Sequence, residues 1–201
     1  MAAARDPEAT KARIFAAAIS EFAAYGIAGA RVDRIARNAN ANKQLIYAYF
    51  GDKQQLFRQV LEKVMVDVAE AVPVDMDDLD AWVDAHLDYH RAHPEFLRLQ
   101  MWEALELGPD EIAAGEARAR RYRDKAAAID DAQRRGIVRG DMPSAHLLAL
   151  MTSMINYKQA LSQYGRFVLG DDADPELWRR WLKTAIHDIA SPGHPGEGAS
   201  A

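Results

Sequence analysis

The sequence has no cysteine, no long apolar segment and no excess of positive charge. Without cysteine the chain cannot form a disulfide, a thiolate metal site or a cysteine nucleophile, which fits a reducing compartment. No run of about 18 uncharged apolar residues is present, and the alanine-rich first residues lack the basic and apolar regions of a secretory signal. We therefore expect a cytoplasmic protein with no membrane partner.

Catalytic patterns are also missing. The sequence has no evident Ser/His/Asp constellation, glycine-rich phosphate loop or close carboxylate pair, so we predict that the chain is not an enzyme and binds no cofactor. His86, His90 and His93 have a helical spacing that suits a metal ion, but neither a His-Glu-x-x-His motif nor a further carboxylate accompanies them. We interpret the three histidines as incidental and predict no metal site.

Charge is unevenly distributed along the chain, whose net charge is −5. Residues 1–63 contain ten Lys and Arg against six Asp and Glu, whereas residues 64–201 contain 15 against 24. The basic segment can meet phosphate while the acidic remainder faces away from it. With 201 residues, 49% of them hydrophobic, the chain is long enough for one or two globular domains.

The first 50 residues have the apolar pattern of three helices. Asp6-Pro7-Glu8 is a helix start, because Asp caps well and Pro fits the first turn, and Gly26 is a stop. Two further apolar faces, at residues 35–39 and 45–46, are separated by a polar turn at residues 40–41. The pattern predicts a helix-turn-helix packed against a preceding helix, an arrangement that reads DNA.

Ile35-Ala36 and the run Ile46-Tyr47-Ala48-Tyr49-Phe50-Gly51-Asp52-Lys53 follow one another in this segment. In type and register they resemble the tetracycline-repressor (TetR) family, over roughly the first third of the chain. The resemblance implies an all-α fold, with a three-helix DNA-binding domain at residues 1–50 and a helical ligand-binding and dimerisation domain at residues 51–190. Residues 191–201, rich in Gly, Pro and Ser, are expected to form a disordered tail.

Residues at the starts of the two helix-turn-helix helices are candidate DNA contacts. Lys43 and Gln44 lie in the first turn of the second helix of the helix-turn-helix. This helix enters the major groove, so the two residues are candidates for base readout. Their alternative is a solvated helix face. Asn42 precedes them as an N-cap, and Asn40 stands where the family usually has Gly in a left-handed turn. Arg31 stands where the family often has a Thr that touches phosphate, and we expect a phosphate contact there.

Three more positions correspond to residues that hold the phosphate backbone in the family, namely Tyr47, Tyr49 and Lys53. Such contacts fix the register of a protein on DNA without reading its sequence. For Tyr47 the alternative of burial in the core stays open, because aromatic side chains at this spacing are often buried.

The rest of the chain predicts further helices, among them a charged helix over residues 109–135, a helix with two apolar faces over residues 146–164, and a last helix with a Trp-containing stripe. In the family the last two helices of each subunit form a four-helix dimer bundle, so we predict a homodimer. The alternative is that both faces are used within one chain. The predicted interface residues are Leu147, Met154, Leu161, Trp178, Trp181, Leu182, Ala185, Ile186 and Ile189.

Apolar and polarizable side chains near the middle of these helices correspond to the lining of the family's ligand cavity. They give a candidate pocket for a small molecule, and the alternative for each residue is ordinary core packing. The candidate pocket residues are Trp82, Tyr89, Met101, Trp102, Met151, Met154 and Tyr157.

Together these expectations favour a ligand-responsive transcriptional regulator, a repressor that a small molecule of unknown identity releases from double-stranded operator DNA. A ligand that prefers one spacing of the paired reading helices would move them away from about 34 to 36 Å, the separation of successive major grooves. The alternative is a helix-turn-helix scaffold that serves as an architectural or protein-interaction module. Steep salt dependence of sequence-selective DNA binding distinguishes the regulator from the scaffold.

Overall fold

A computed structural model describes residues 6–108, 111–171 and 173–192, and within them the chain is helical, without strands. This agrees with the all-α prediction. The helices are α1 (Pro7–Gly29), α2 (Val32–Asn38), α3 (Lys43–Phe50), α4 (Lys53–Ala71), α5 (Leu79–Ala92), α6 (Glu95–Glu106), α7 (Gly115–Arg134), α8 (Ser144–Ala160), α9 (Ser162–Leu169) and α10 (Pro175–Ala190).

The helices form two compact units. The first unit comprises Met1–Val68 and His93–Gly115, and the second comprises Ala69–Ala92 and Glu116–Ala201. The first unit therefore contains α1 to α3, most of α4, and α6. These two units are defined by how the helices pack. The boundary predicted after residue 50 separates the DNA-binding domain from the ligand-binding domain by function, so it stays a prediction.

The start of α1 and its interruption at Gly26 both follow from the local sequence. Asp6 accepts a hydrogen bond from the backbone N–H of Glu8 at 2.9 Å, and Pro7 occupies the first turn. At Gly26 the backbone leaves the helical conformation with φ of 67°, which glycine adopts without strain. A Cβ at Gly26 would lie 2.7 Å from the Trp102 ring, so the missing side chain lets α6 approach α1.

The core of the first unit joins α1 to α4. Phe22 of α1 meets Phe57 of α4 edge-on, with ring centroids 5.2 Å apart, and both side chains are fully buried. Ile35 of α2 and Ile46 of α3 are also fully buried. Burying a side chain of this kind contributes about 1.5–3 kcal/mol. Helices as short as α2 and α3 are unstable alone, and this shared core holds them in place.

Helix α6 is bonded to the end of α1. Arg98 Nε and Trp102 Nε1 donate to the carbonyl oxygen of Ala23 at 2.8 and 3.2 Å. Glu106 Oε2 accepts from the backbone N–H groups of residues 27 and 28, each at 2.8 Å. These bonds satisfy backbone groups that the break at Gly26 leaves without helical partners.

The second unit packs α5, α8 and α10 against one another. Asp84 of α5 lies 2.7 Å from Arg179 and 2.6 Å from Lys183, both on α10. Burial by itself raises the pKa of Asp84, but the two cations outweigh it and lower that pKa below its usual value. The core contains fully buried side chains from four helices: Val83, Ile129, Leu147, Met151, Ile155 and Ile186.

Two predicted helices have other bounds in the structure. The charged helix begins at Gly115 and not at residue 109, because Ala114 has φ of 49° and cannot continue a right-handed helix. The helix predicted over residues 146–164 is divided, since Leu161, with φ −116° and ψ 56°, separates α8 from α9. Residues 193–201 of the predicted tail lie outside the described residues. None of the helices in the described ranges is long and apolar enough to cross a membrane.

Candidate nucleic-acid interface

A tight turn connects α2 to α3. Asn40 has φ of 48°, so it adopts the left-handed conformation expected there, and the N–H of Ala41 donates to the carbonyl oxygen of Ala36 at 2.9 Å. Asn42 caps α3, because its side-chain oxygen accepts from the N–H of Gln44 at 2.8 Å. The turn and cap together fix the direction in which the first turn of α3 points.

Helix α3 has a buried side and an exposed side. Ile46 and Phe50 are buried, whereas Lys43 and Gln44 are exposed. Tyr47 is 46% exposed, so the alternative of core burial is wrong for this residue. The exposed side therefore presents two hydrogen-bonding side chains in the first turn and a phenol one turn later, a set that can meet base edges and phosphate.

Two exposed lysines at this surface are paired with carboxylates. Lys43 Nζ lies 2.9 Å from Asp33 Oδ1, and Lys11 Nζ lies 2.9 Å from Glu8 Oε1 and 5.3 Å above the ring of Tyr49. The hydrogen bond to its carboxylate raises the pKa of each lysine. Exposed pairs of this kind contribute little to stability, so a DNA phosphate or base can replace the carboxylate.

Lys53 holds the end of α1. Its Nζ donates to the carbonyl oxygens of Ala28 and Ala30, each at 3.2 Å. An ammonium group has three donors, so one donor is left for a phosphate oxygen. The predicted phosphate ligand thus also has a structural role that the sequence does not reveal.

A buried carboxylate fixes the start of α2. Glu21 of α1 accepts from Arg34 Nε at 2.7 Å, from Arg34 Nη2 at 2.6 Å and from the backbone N–H of Arg31 at 2.8 Å. The Arg34 guanidinium also lies 3.9 Å from the centroid of the Tyr25 ring. Burial raises the pKa of Glu21, but the bonds from Arg34 and Arg31 outweigh it, so the pKa lies below its ordinary value.

Two arginines, one at each end of α2, form no ion pair within the described residues. The side chain of Arg31 is exposed at the N-cap of α2 and makes no side-chain capping bond. Arg37 is exposed in the last turn of α2, next to the turn that leads to α3. Arg37 is a candidate phosphate ligand that sequence reasoning missed. Its spacing from Arg34 gave no signal, because residues three apart share a helix face, whereas the Arg34 guanidinium turns to Glu21 and Arg37 is exposed.

The predicted pocket residues are divided between the two units. Met101 and Trp102 lie on α6 of the first unit, where Trp102 is bonded to α1. In the second unit Trp82 and Met151 are buried, Tyr89 and Met154 are half-buried and Tyr157 is exposed. Two grooves of the second unit, of about 510 and 400 Å³, are lined mainly by polar and charged residues and by none of these seven. The pocket stays a prediction.

The predicted interface residues also differ in exposure. Leu147, Leu182 and Ile186 are buried within the chain, so they form its own core and cannot be the contact surface. Trp181 is 61% exposed and Leu161 is also exposed. Met154, Trp178, Ala185 and Ile189 are half-buried. Further exposed apolar side chains that the sequence analysis did not select lie on α8, α9 and α10: Leu150, Tyr164, Phe167, Val168, Leu169 and Leu177.

Two of the three histidines lie close together within the second unit. His86 and His90 are buried on α5 of the second unit, with ring centroids 6.4 Å apart, whereas His93 belongs to the first unit. Among the described residues no three His, Cys, Asp or Glu side chains are grouped so that they could hold a metal ion.

Similarity to known proteins covers both units. Residues 14–60 match the family model of bacterial regulatory proteins of the tetR family, and residues 78–187 match the model of the tetracyclin repressor-like C-terminal domain. The HTH-type transcriptional repressor SCO4008 of Streptomyces coelicolor is 52% identical over 188 residues, which are 93% of this chain and 98% of that protein.

Two further proteins are similar over most of their length. The HTH-type transcriptional repressor NicS of Pseudomonas putida is 29% identical over 201 residues, covering 94% of each chain. A crystal structure of the transcriptional regulator SCO4942 of Streptomyces coelicolor superposes with a TM-score of 0.80 and 33% identity, covering 92% of this chain and 99% of that chain. With its helix-turn-helix geometry and these matches, the chain belongs to the TetR family of transcriptional regulators and is not an enzyme.

Proposed function

We propose that this protein is a homodimeric repressor that binds operator DNA through α3 and is released from it when a small molecule binds the second unit. The observation that carries the proposal is the first turn of α3, where the Asn42 cap presents Lys43 and Gln44 to solvent. The repressors named above support the repressing role. The proposal includes a cytoplasmic location, because the operator DNA lies in the cytoplasm.

Docking of α3 in the major groove assigns a role to each exposed polar group. Lys43 donates to guanine O6 or N7 once Asp33 is displaced, and Gln44 pairs with adenine. Each such contact discriminates between bases by about 1–3 kcal/mol. Tyr47, Tyr49, Arg31 and the third donor of Lys53 hold phosphates on either side of the groove.

Dimerisation supplies a second copy of α3. The exposed apolar side chains of α8 to α10 include Trp181 and Phe167, the latter 88% exposed. Clustered exposed apolar residues usually mark an interaction site, and a second copy of the chain offers a matching surface. Two copies of α3 can then occupy major grooves one helical turn apart, and a ligand that favours another spacing lowers operator affinity.

The proposal is tested with a fluorescently labelled duplex taken from the DNA upstream of the gene for this protein. Anisotropy titrations over a salt series should give selective binding relative to a shuffled duplex, with an affinity that falls steeply as salt rises. Sedimentation at micromolar concentration should give a dimer. Equal affinity for both duplexes would favour the scaffold function, and a monomer would contradict the homodimer.

A further inference from the structure

The turn that joins α1 to α2 is held by a side chain from a helix distant in sequence. Beyond the break at Gly26 the chain makes one more helical turn, in which the N–H of Ala30 donates to the carbonyl oxygen of Gly26 at 3.2 Å. The first N–H groups of such a turn have no helical acceptor. Glu106 of α6 supplies one, because its Oε2 accepts from Ile27 and Ala28 at 2.8 Å each. Glu106 therefore caps this turn across a sequence separation of 79 residues.

The Glu106 carboxylate has no other partner that accounts for its position. Within the described residues it forms no ion pair and accepts from no further donor. A Cβ at Gly26 would collide with Glu106 Oε1, so the glycine at the break also leaves space for the carboxylate. Hydrogen bonds to a charged acceptor are roughly twice as strong as those between neutral groups. Glu106 therefore holds the N–H side of the turn firmly.

The carbonyl side of the same turn holds Lys53, the predicted phosphate ligand at the start of α4. Lys53 Nζ donates to the carbonyl oxygens of Ala28 and Ala30, each at 3.2 Å. Ala28 thus donates to Glu106 through its N–H and accepts from Lys53 through its C=O. Opposite charges at the two ends of a hydrogen-bonded chain polarise it in one direction and strengthen its bonds. A single residue therefore connects the carboxylate of α6 to the ammonium group of α4.

The direction of the Lys53 ammonium group depends on this turn. Two of its three donors are used by the carbonyl oxygens of residues 28 and 30, and the third is left for a phosphate oxygen. If the N–H groups of Ile27 and Ala28 lose their acceptor, the turn is no longer fixed on its N–H side. The carbonyl groups that hold Lys53 then move as well, and the third donor loses its aim.

We propose that Glu106 is a positioning residue for operator binding, which acts on DNA through Lys53. The proposal rests on the proposed function, because it assigns the support of one phosphate contact in that same DNA-binding role. The sign of the effect separates positioning from charge. A carboxylate repels phosphate, so loss of its charge alone would tighten DNA binding. Loss of the positioned turn weakens DNA binding instead.

The test compares Glu106→Ala, which removes the acceptor, with Glu106→Gln, which removes the charge but keeps an acceptor oxygen. Full-length protein is titrated with the labelled upstream duplex over a salt series. Glu106→Ala should weaken binding about threefold to tenfold and reduce the salt slope by about 1. Glu106→Gln should recover most of the affinity and the slope. Glu62→Gln, an exposed change on α4, is the control and should bind like the wild type.

A double variant tests the route through Lys53. Lys53→Met already lacks the phosphate contact, so adding Glu106→Ala to it should change the affinity by less than about twofold. Amide hydrogen exchange followed by NMR should be faster at Ile27 and Ala28 in Glu106→Ala than in the wild type, which reports the bonds without DNA. If Glu106→Ala does not fold, Glu106→Asp replaces it, because Asp keeps the charge but withdraws the acceptor by about 1.5 Å. Glu106→Asp should show the same loss of affinity and slope.

Four outcomes would overturn the positioning role of Glu106. They are wild-type or tighter binding without the acceptor, a wild-type salt slope, no recovery in Glu106→Gln, and a full loss of affinity that persists in the Lys53→Met background. A purely structural role gives the last three, since it lowers stability without touching the phosphate contact. The proposed function is scored separately by the wild type. Selective binding by the wild type together with unaltered binding by Glu106→Ala removes only this inference, whereas a wild type that selects no duplex contradicts both.

Discussion

Replacing Glu21 by Gln removes one charge from the interior of the first unit. Glu21 is 3% exposed and accepts hydrogen bonds from three donors, Nε and Nη2 of Arg34 and the backbone N–H of Arg31. Gln has a single acceptor oxygen, so at least one of these donors loses its partner. The Arg34 side chain is 29% exposed, and water replaces part of the loss. We expect the free energy of unfolding to fall by about 1–3 kcal/mol, and the Tm by roughly 2–4 °C for each kcal/mol.

The pH dependence of this loss follows from the pKa of Glu21. Despite burial, which raises it, the bonds from Arg34 and Arg31 hold that pKa below the ordinary value of 4.5. The stabilisation is therefore complete above that ordinary value and is lost as pH falls through the lower, folded-state pKa. Urea unfolding followed by circular dichroism should show a large gap between wild type and Glu21→Gln at pH 7 and a smaller gap in acid. Glu62→Gln, an exposed change on α4, should show neither. Equal midpoints at pH 7, or a gap that widens in acid, would refute the reasoning.

Three further variants test other parts of the account. Gly26→Ala should lower the free energy of unfolding by about 1–3 kcal/mol, because φ is 67° and the new Cβ would lie 2.7 Å from the Trp102 ring. Gly140→Ala is the control. It has open space around it and should have a far smaller effect in the same urea titration. Lys53→Met should weaken binding to all duplexes alike and reduce the salt slope by about 1, whereas an unchanged slope would show that Lys53 serves only α1. Trp181→Ser should raise the dimer dissociation constant at least about tenfold by sedimentation equilibrium, and an unchanged constant would remove Trp181 from the interface.

The helix-turn-helix conformation of residues 32–50 could be predicted closely because its determinants are local. Asn42 caps the helix that begins at the next residue, and Asn40 adopts a positive φ by its own side-chain chemistry. Both properties depend on residues within one turn, so spacing in the sequence is enough to find them. The bonds of Lys53 to residues 28 and 30, and of Glu21 to Arg34, join positions 10 or more residues apart, and spacing does not reveal them.

The second unit could be predicted only in part because its determinants are long-range. The apolar stripe of α10 spans two faces. The face with Leu182 and Ile186 is buried within the chain, and the face with Trp181 is exposed. Periodicity gives the stripe but not the element that covers it. Trp82 was selected as an apolar pocket residue, whereas its buried indole N–H, which has no hydrogen-bond partner among the described residues, is visible only in the structure.

The central claim, that the first turn of α3 reads operator bases, is tested most directly by selecting preferred sites from random duplexes with wild type and Lys43→Ala. We expect the wild type to select one two-fold-related site with half-sites about 10 to 10.5 base pairs apart or a multiple of that spacing. Lys43→Ala should select the same spacing but lose base preference at one position in each half-site, with the affinity for the wild-type site reduced by about 1–3 kcal/mol. An unchanged preference at every position would contradict the assignment of Lys43 to base readout and, with it, the orientation of α3 on DNA.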